Sequence, residues 1–428
     1  MAENLRVFGL NYQGVEGLKL TDTDGNIVTY YPEAAEPEPL DVDFIDYDGT
    51  LLYTYTAQEF LNLTELPPNP SHYGLTAQGW NWSLSDAKTF VGNYGSLVIG
   101  QMYTTSNGRT RVYIHMPDSF PIKTIAMRYA QSAQNGTKVY WGDGTEDIKS
   151  SSGTVASDVS HTYENSGDYV IEIEVLNGEI TALGSSNANT SLLGSGDCRM
   201  KGLLVTKIEI GNGVTGLSHN PFKHFSNMKT ITFPSSLVNQ ADYDESIFLD
   251  CKALKAIVFP TNYIGRSRGM FDAGLNLRYI SVPKNQTGFS INTNHFNLRK
   301  LTIANLAPYN NGTEGPFQLQ AAPTMTHFVV MGTYTVIKVD ALRNSQVKKI
   351  YIPETVTSIK ATAFAYNYYC EEIHLYPTAP PTLANTNVFN GTTGTFYVPY
   401  SADHSILTAY QNETNWSTYA SRMVEESA

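Results

Sequence analysis

The sequence predicts a mainly β, multidomain protein that ends in a solenoid. Three observations carry this. First, a short pattern of apolar residues recurs nine times after residue 204, with central residues 208, 231, 257, 280, 301, 328, 350, 373 and 396. A regular period of this length is the mark of stacked repeats, because one repeat cannot bury its own apolar face. Second, only 16% of residues are charged, whereas Tyr alone numbers 28, a balance that suits strands and turns coated with uncharged polar groups. Third, the stretches before the repeats alternate apolar and polar residues between Gly, Asn and Asp turns.

Residues 1–31 read as a small β module, with "DTDGN" closing a hairpin. The same stretch approaches a calcium loop, but its Gly stands at the fourth position of the loop rather than the sixth. Residues 32–41, "PEAAEPEPLD", are a Pro/Glu spacer, stiffened by Pro and extended by charge repulsion. Residues 42–118 form a small α+β module. It holds a strand–turn–strand at "DFIDYDGTLLYTYT", a short helix at "AQEFLNL" and a helix at "SLSDAKTFVGNY" capped by Ser83 or Ser85. A hairpin closed at Asn107-Gly108 follows. Residues 119–176 are wholly β, and 177–200 are a Ser/Gly/Asn-rich linker. The solenoid occupies 201–400 and a C-terminal cap 401–428.

Each repeat reads apolar-x-x-apolar-x-apolar, as in "VTKIEI", "LKAIVF" and "CEEIHL"; Phe often precedes the strand and Pro often follows it. The pattern resembles the BspA-like leucine-rich repeat of bacterial and phage surface proteins, most closely at "IFLDCKALKAIVFP". "WGDG…HTYENSGDYVIEIEV" resembles a polycystic-kidney-disease (PKD) repeat, which implies an Ig-like β-sandwich over 119–176. "FIDYDGTLLYTYT" with "LPPNPSHYGLTAQGWNWSL" resembles a module of leucine-rich-repeat proteins from gut bacteria and their phages. Together the resemblance covers about 42–428 and leaves 1–41 outside.

"FIDYDGTLL" is also similar to the first motif of haloacid-dehalogenase-type phosphatases, which would make Asp46 the nucleophile and Asp48 the acid/base. Asp143 and Asp147 in "WGDGTED" then stand where that superfamily binds magnesium. Such an enzyme needs a parallel α/β core, and the strand-rich pattern between Asp46 and Asp143 does not supply one. Two Asp-Gly turns account for the residues better. No enzyme activity is therefore expected.

Cys198, Cys251 and Cys370 are far apart and odd in number, which argues for small core residues rather than disulfides or zinc. His72, His115 and His161 lack metal-ligand spacing, so neither a metal nor another cofactor is expected. Trp80 and Trp82 read as core in preference to a sugar platform. A net charge of −12 argues against a nucleic-acid partner. No run is apolar for long enough to insert in a membrane. The start has no signal-peptide pattern.

Along each repeat strand the first, fourth and sixth residues point inward, so the third and fifth face out. This makes Tyr279, Lys300, His327, Lys349, Tyr351, His374 and Tyr397 the candidate ligand-binding residues, on an open sheet. A second row, Lys229, Lys255, Arg278, Arg299 and Lys348, either faces an anionic polymer or guards the strands against edge pairing; the second reading is preferred. The expectation is a phage virion appendage, a fibre or decoration protein on the virion surface. Residues 1–31 would dock to a capsid or tail protein and form a homo-oligomer, for instance a trimer. The solenoid would bind a host surface glycan or protein. The alternative is a bacterial cell-surface adhesin, and the phosphatase is a remote third.

Overall fold

A computed structural model describes residues 18–21, 27–30, 40–153, 155–184, 190–218, 220–240, 247–263, 267–271, 276–284, 289–292, 298–306, 317–318 and 325–427. The chain divides into two compact units, Met1–Glu38 and Pro39–Ala428. In the first, β1 (Leu18–Thr21) pairs antiparallel with β2 (Ile27–Tyr30), as a hairpin requires. Residues 1–17, and the "DTDGN" turn and calcium-loop alternative at 22–26, lie outside the described residues.

The second unit opens with a four-stranded sheet in which Leu51–Tyr55, Val42–Ile45, Leu97–Thr105 and Leu75–Trp80 lie side by side in that order. Its strands are β3 (Val42–Ile45), β4 (Leu51–Tyr55), β5 (Leu75–Trp80) and β6 (Leu97–Thr105). Helices α1 (Ala57–Leu61) and α2 (Leu84–Tyr94) lie between them in sequence. Ser83 caps α2 as expected, its hydroxyl accepting from the Asp86 amide at 3.1 Å. A capping box of Thr56 and Glu59 starts α1. All nine residues of β6 are buried, so both faces of this sheet are covered.

The expected hairpin at Asn107-Gly108 does not form. β6 pairs with β3 and β5, whereas β7 (Thr110–Met116) pairs with β12 (Gly167–Val175) in another sheet. The turn carries the chain from one sheet to the next. Strands β8 (Thr124–Gln131), β9 (Thr137–Tyr140), β10 (Glu146–Lys149), β11 (Ser157–Thr162) and β13 (Ile180–Leu183) complete this region.

Two sheets then run on into the solenoid. One has the order β10-β9-β12-β7 followed by the first two repeat strands, Val205–Glu209 and Thr230–Thr232. The other has the order β11-β8-β13 followed by Gly216–Leu217 and Asn239–Gln240. The expected linker at 177–200 is therefore part of the framework. β13 pairs with β8 and with Gly216–Leu217, and Leu192 and Leu193 are fully buried. One apolar core extends from Val112 on β7 to Met423 near the C-terminus. The β region thus covers the N-terminal end of the solenoid, which would otherwise expose a row of unpaired backbone groups.

All nine expected repeat strands are present, and their central residues stack in register: Ile208 on Ile231, Ile257 on Ile280, Leu301 on Phe328, then Ile350, Ile373 and Phe396. A tenth rung, Met423–Glu425, pairs parallel with Thr395–Val398 and was not expected. It follows a helix, Ser405–Asn412, and a 3-10 helix, Trp416–Arg422. Trp416 is fully buried, and its indole N–H donates to the Pro381 carbonyl at 2.6 Å, anchoring this cap.

Candidate functional site

The outward row of the solenoid sheet is not open. Tyr279 and Lys300 are fully buried, and Tyr351 and His327 nearly so. Lys349, His374 and Tyr397 are half-buried. The open binding surface expected at these seven residues is thus corrected: the module of 40–105 lies over most of it. Ile45, Leu51, Val98 and Met102 from that module pack on Ala256, Val258 and Tyr279. On the far face of the module's sheet, Phe44, Leu97 and Ile99 share a core with Phe60 of α1, Phe90 and Val91 of α2, and Val329, Met331 and Tyr351 of the solenoid.

Polar bonds fix this junction. The Asn81 amide group donates to the Phe259 carbonyl at 2.9 Å and to the Ser281 hydroxyl at 3.0 Å. Trp82 donates its indole N–H to the Val282 carbonyl at 2.8 Å. Trp80 does likewise to Pro67, so both tryptophans are core, as expected. The Lys300 ammonium meets Asp43 at 2.8 Å and donates to the carbonyls of Leu40 and Asp41. Asp41, assigned to the spacer by the sequence, instead faces His327 at 3.2 Å and Lys349 at 3.5 Å. Burial, aided by the neighbouring Lys300 and Lys349 charges, lowers the His327 pKa to about 4 against the hydrogen bond that the ring donates to Asp41.

Beyond the edge of the module a cleft of about 610 Å³ remains. One wall is the end of α2, Gly92 to Gly95; the other is solenoid, with Lys349, Glu354, Glu372, His374, Tyr376 and Glu426. Gly95 ends the helix in the left-handed region (φ 72°), and a Cβ there would stand 2.7 Å from the Tyr351 hydroxyl. Tyr351, His374 and Tyr397 stack on successive rungs, with ring centroids 4.7 and 4.8 Å apart. His374 is held on both nitrogens, by Glu426 at 2.6 Å and Glu372 at 3.1 Å. Burial opposes its charge, but the two carboxylates prevail and raise its pKa. Glu372 also meets Lys349 at 3.5 Å. The Tyr376 hydroxyl donates to the Asn93 carbonyl at 2.9 Å, tying α2 to the solenoid. Of the seven expected residues, the structure brings Lys349, Tyr351 and His374 to this cleft. It adds Tyr94, Glu354, Tyr376 and Glu426, which strand alternation had not picked out.

The phosphatase geometry is absent. Only the β3–β6 pairing in the Asp46 sheet is parallel; β4 and β5 run antiparallel. Asp46 accepts from the Tyr47 amide and lies 2.7 Å from His72, while Asp48 accepts from the Thr50 amide. Asp143 holds Thr145 and His161, and Asp147 accepts the Trp141 indole N–H at 2.8 Å. All four aspartates thus serve local structure. Cys251 and Cys370 are buried and Cys198 half-buried, and none of the three forms a disulfide.

In the basic row, amides and carbonyls link Lys255 to Arg278, Arg278 to Arg299, Arg299 to Thr326 and Thr326 to Lys348 on successive rungs. Lys229, Lys255 and Lys348 are exposed, and Lys348 approaches Glu371 at 3.9 Å. Among the described residues no group of His, Cys, Asp and Glu is placed to hold a metal, and no helix is long and apolar enough to cross a membrane.

No curated protein matches the chain. A crystal structure of a leucine-rich repeat protein from Bacteroides ovatus is similar at 17% identity and a TM-score of 0.31. The similarity covers 56% of this chain and 61% of that one, so it spans about three fifths of the relative. Six copies of the BspA type leucine rich repeat region match at residues 197–311, 245–371 and 315–399. The rungs Lys349–Ile352 and Glu372–Leu375, which build one wall of the cleft, lie within the residues that match the BspA type leucine rich repeat region.

Proposed function

We propose that this protein is a non-enzymatic, adhesin-like recognition protein that binds a surface glycan or protein in the cleft between α2 and the last rungs. The observation that carries this is the cleft itself. It brings tyrosine rings and convergent polar groups together on rigid elements, as a recognition site requires. Tyr279, Lys300 and His327 of the expected binding sheet are buried against the protein's own chain, so the site moves from the middle of the sheet to its C-terminal end.

The carrier in this proposal is a phage particle, with residues 1–31 as the docking element and an oligomeric base; a bacterial cell surface is the alternative. The separation of Met1–Glu38 as its own compact unit supports an attachment role for it. Residues 119–176 are taken as PKD-like on their "WGDG" motif, serving as a structural cap rather than a second binding site.

The test is Asn93→Trp, which fills the cleft from an exposed position at the end of α2. Adhesion of the labelled protein to target cells should be lost while the melting temperature holds. Unchanged adhesion would remove the cleft from the reading. Location of the chain in a particle reconstruction, or in a cell-envelope fraction, decides the carrier.

A further inference from the structure

The charge and shape of the cleft go further than the presence of a ligand. Four carboxylates, Asp41, Glu354, Glu372 and Glu426, line it or pair with groups that do. They face two cationic side chains, Lys349 and His374, both already shared: Lys349 lies between Asp41 and Glu372, and His374 between Glu372 and Glu426. Four against two leaves the site negative by at least two charges. Glu354 is exposed and has no ion-pair partner among the described residues.

The helix wall adds to this. α2 has 11 residues and directs its C-terminus at the cleft, so the last carbonyls carry the negative end of the helix dipole. Tyr376 satisfies the Asn93 carbonyl, and Gly95 turns the chain away. Tyr94 and Tyr376, both lining the cleft, meet edge to face with centroids 5.4 Å apart. Their rings are half-buried, and aromatic faces suit contact with a sugar ring and attract a cation.

Resting on the recognition reading above, we propose that the cleft takes a glycan bearing a free ammonium group, as a de-N-acetylated amino sugar does. The pyranose ring lies against Tyr94 or Tyr376, and the ammonium meets Glu354 and the carbonyl end of α2. A neutral sugar would leave the excess negative charge uncompensated. A uronic acid would be repelled by it.

Calorimetric titration of the full-length protein with three tetrasaccharides tests this at low salt and mildly acidic pH, where the amine is protonated. The probes are oligomers of glucosamine, of N-acetylglucosamine and of galacturonic acid. The glucosamine oligomer should bind at least tenfold more tightly than its acetylated form and weaken as salt is added; the uronate should not bind. Glu354→Lys should abolish binding with no change in melting temperature. Equal or tighter binding of the acetylated or uronate oligomer, lost in Asn93→Trp, overturns the ammonium assignment and leaves the recognition reading intact. If none of the three binds but Asn93→Trp still abolishes cell adhesion, the amino-sugar proposal alone falls. If none binds and adhesion is also unaltered, both fall.

Discussion

The ammonium of Lys300 lies 2.8 Å from the carboxylate of Asp43, and neither side chain reaches solvent. One stands on the fifth repeat strand, Lys300–Leu306, and the other on β3 of the module that covers it. The ammonium's three donors face Asp43 and the carbonyls of Leu40 and Asp41, while Thr54 donates its hydroxyl to the other Asp43 oxygen at 2.6 Å. Asp43 Oδ2 has the ammonium at ion-pair distance as its counter-charge and no further hydrogen bond, so the two buried charges depend on each other. Removing one partner strands the other. Lys300→Met is expected to cost about 3–5 kcal/mol in urea unfolding, as loss of one member of a buried pair does. Adding Asp43→Leu should restore much of this, because two apolar groups need no partners. A loss below 1 kcal/mol in the single variant would show that the pair is not buried in solution.

Gly100 lies where the module's sheet comes close to the solenoid sheet. A Cβ there would stand 2.4 Å from Val258 Cγ1 and 2.9 Å from Ser281 Cβ. Gly100→Ala should therefore lower stability by about 1–3 kcal/mol, the usual cost of overpacking. It should also raise amide exchange in β6 and in strands 256–258 and 279–281. Unchanged exchange there would mean the module does not sit on the solenoid as described.

Tyr279→Ala and Tyr351→Ala distinguish a covered sheet from an open one. On an open sheet neither change would move the melting temperature. With both rings buried, each should cost about 3–5 kcal/mol, as large-to-small changes of aromatic core residues do. Thermal unfolding of the two single variants reads this directly.

Stability should fall as the solution is acidified from about pH 6.5 to pH 4. His327 has a folded pKa of about 4 against 6.5 when unfolded, so the unfolded chain takes up the proton first. Its contribution is present above 6.5 and lost by about pH 4, with a slope of at most about 1.4 kcal/mol per pH unit. The groups facing it are Asp41, Lys300 and Lys349. Asp41 acts in the same sense but lower, since its own pKa is held below the usual carboxylate range. His374 acts oppositely: its pKa is raised, so its contribution is present below 6.5 and lost as pH rises through the folded value. The discriminating measurement is the difference between the parent and His327→Gln, whose pH slope should be flatter. A difference independent of pH from 7 to 4 would assign the slope to other groups.

The solenoid was legible in the sequence. Period, inward residues and the positions of all nine strands follow from local alternation, because every repeat must bury its apolar face on the next. The capped helix at Ser83 and the core roles of Trp80 and Trp82 were legible for the same reason. The outward side of the sheet was not, since alternation says only that two faces differ. A signal was present nonetheless: "AIVF" at 256–259 and "FVVM" at 328–331 are apolar without interruption, as strands covered on both faces are. What covers them is a contact between residues more than 150 positions apart, such as Asn81 with Ser281 and Asp43 with Lys300. The passage of the chain at Asn107-Gly108 into a new sheet is of the same kind, because a turn sequence fixes the bend and not the partner of the next strand. Which side of the sheet water reaches depends on these long-range contacts, because they bury its middle rungs and leave a cleft at its C-terminal end.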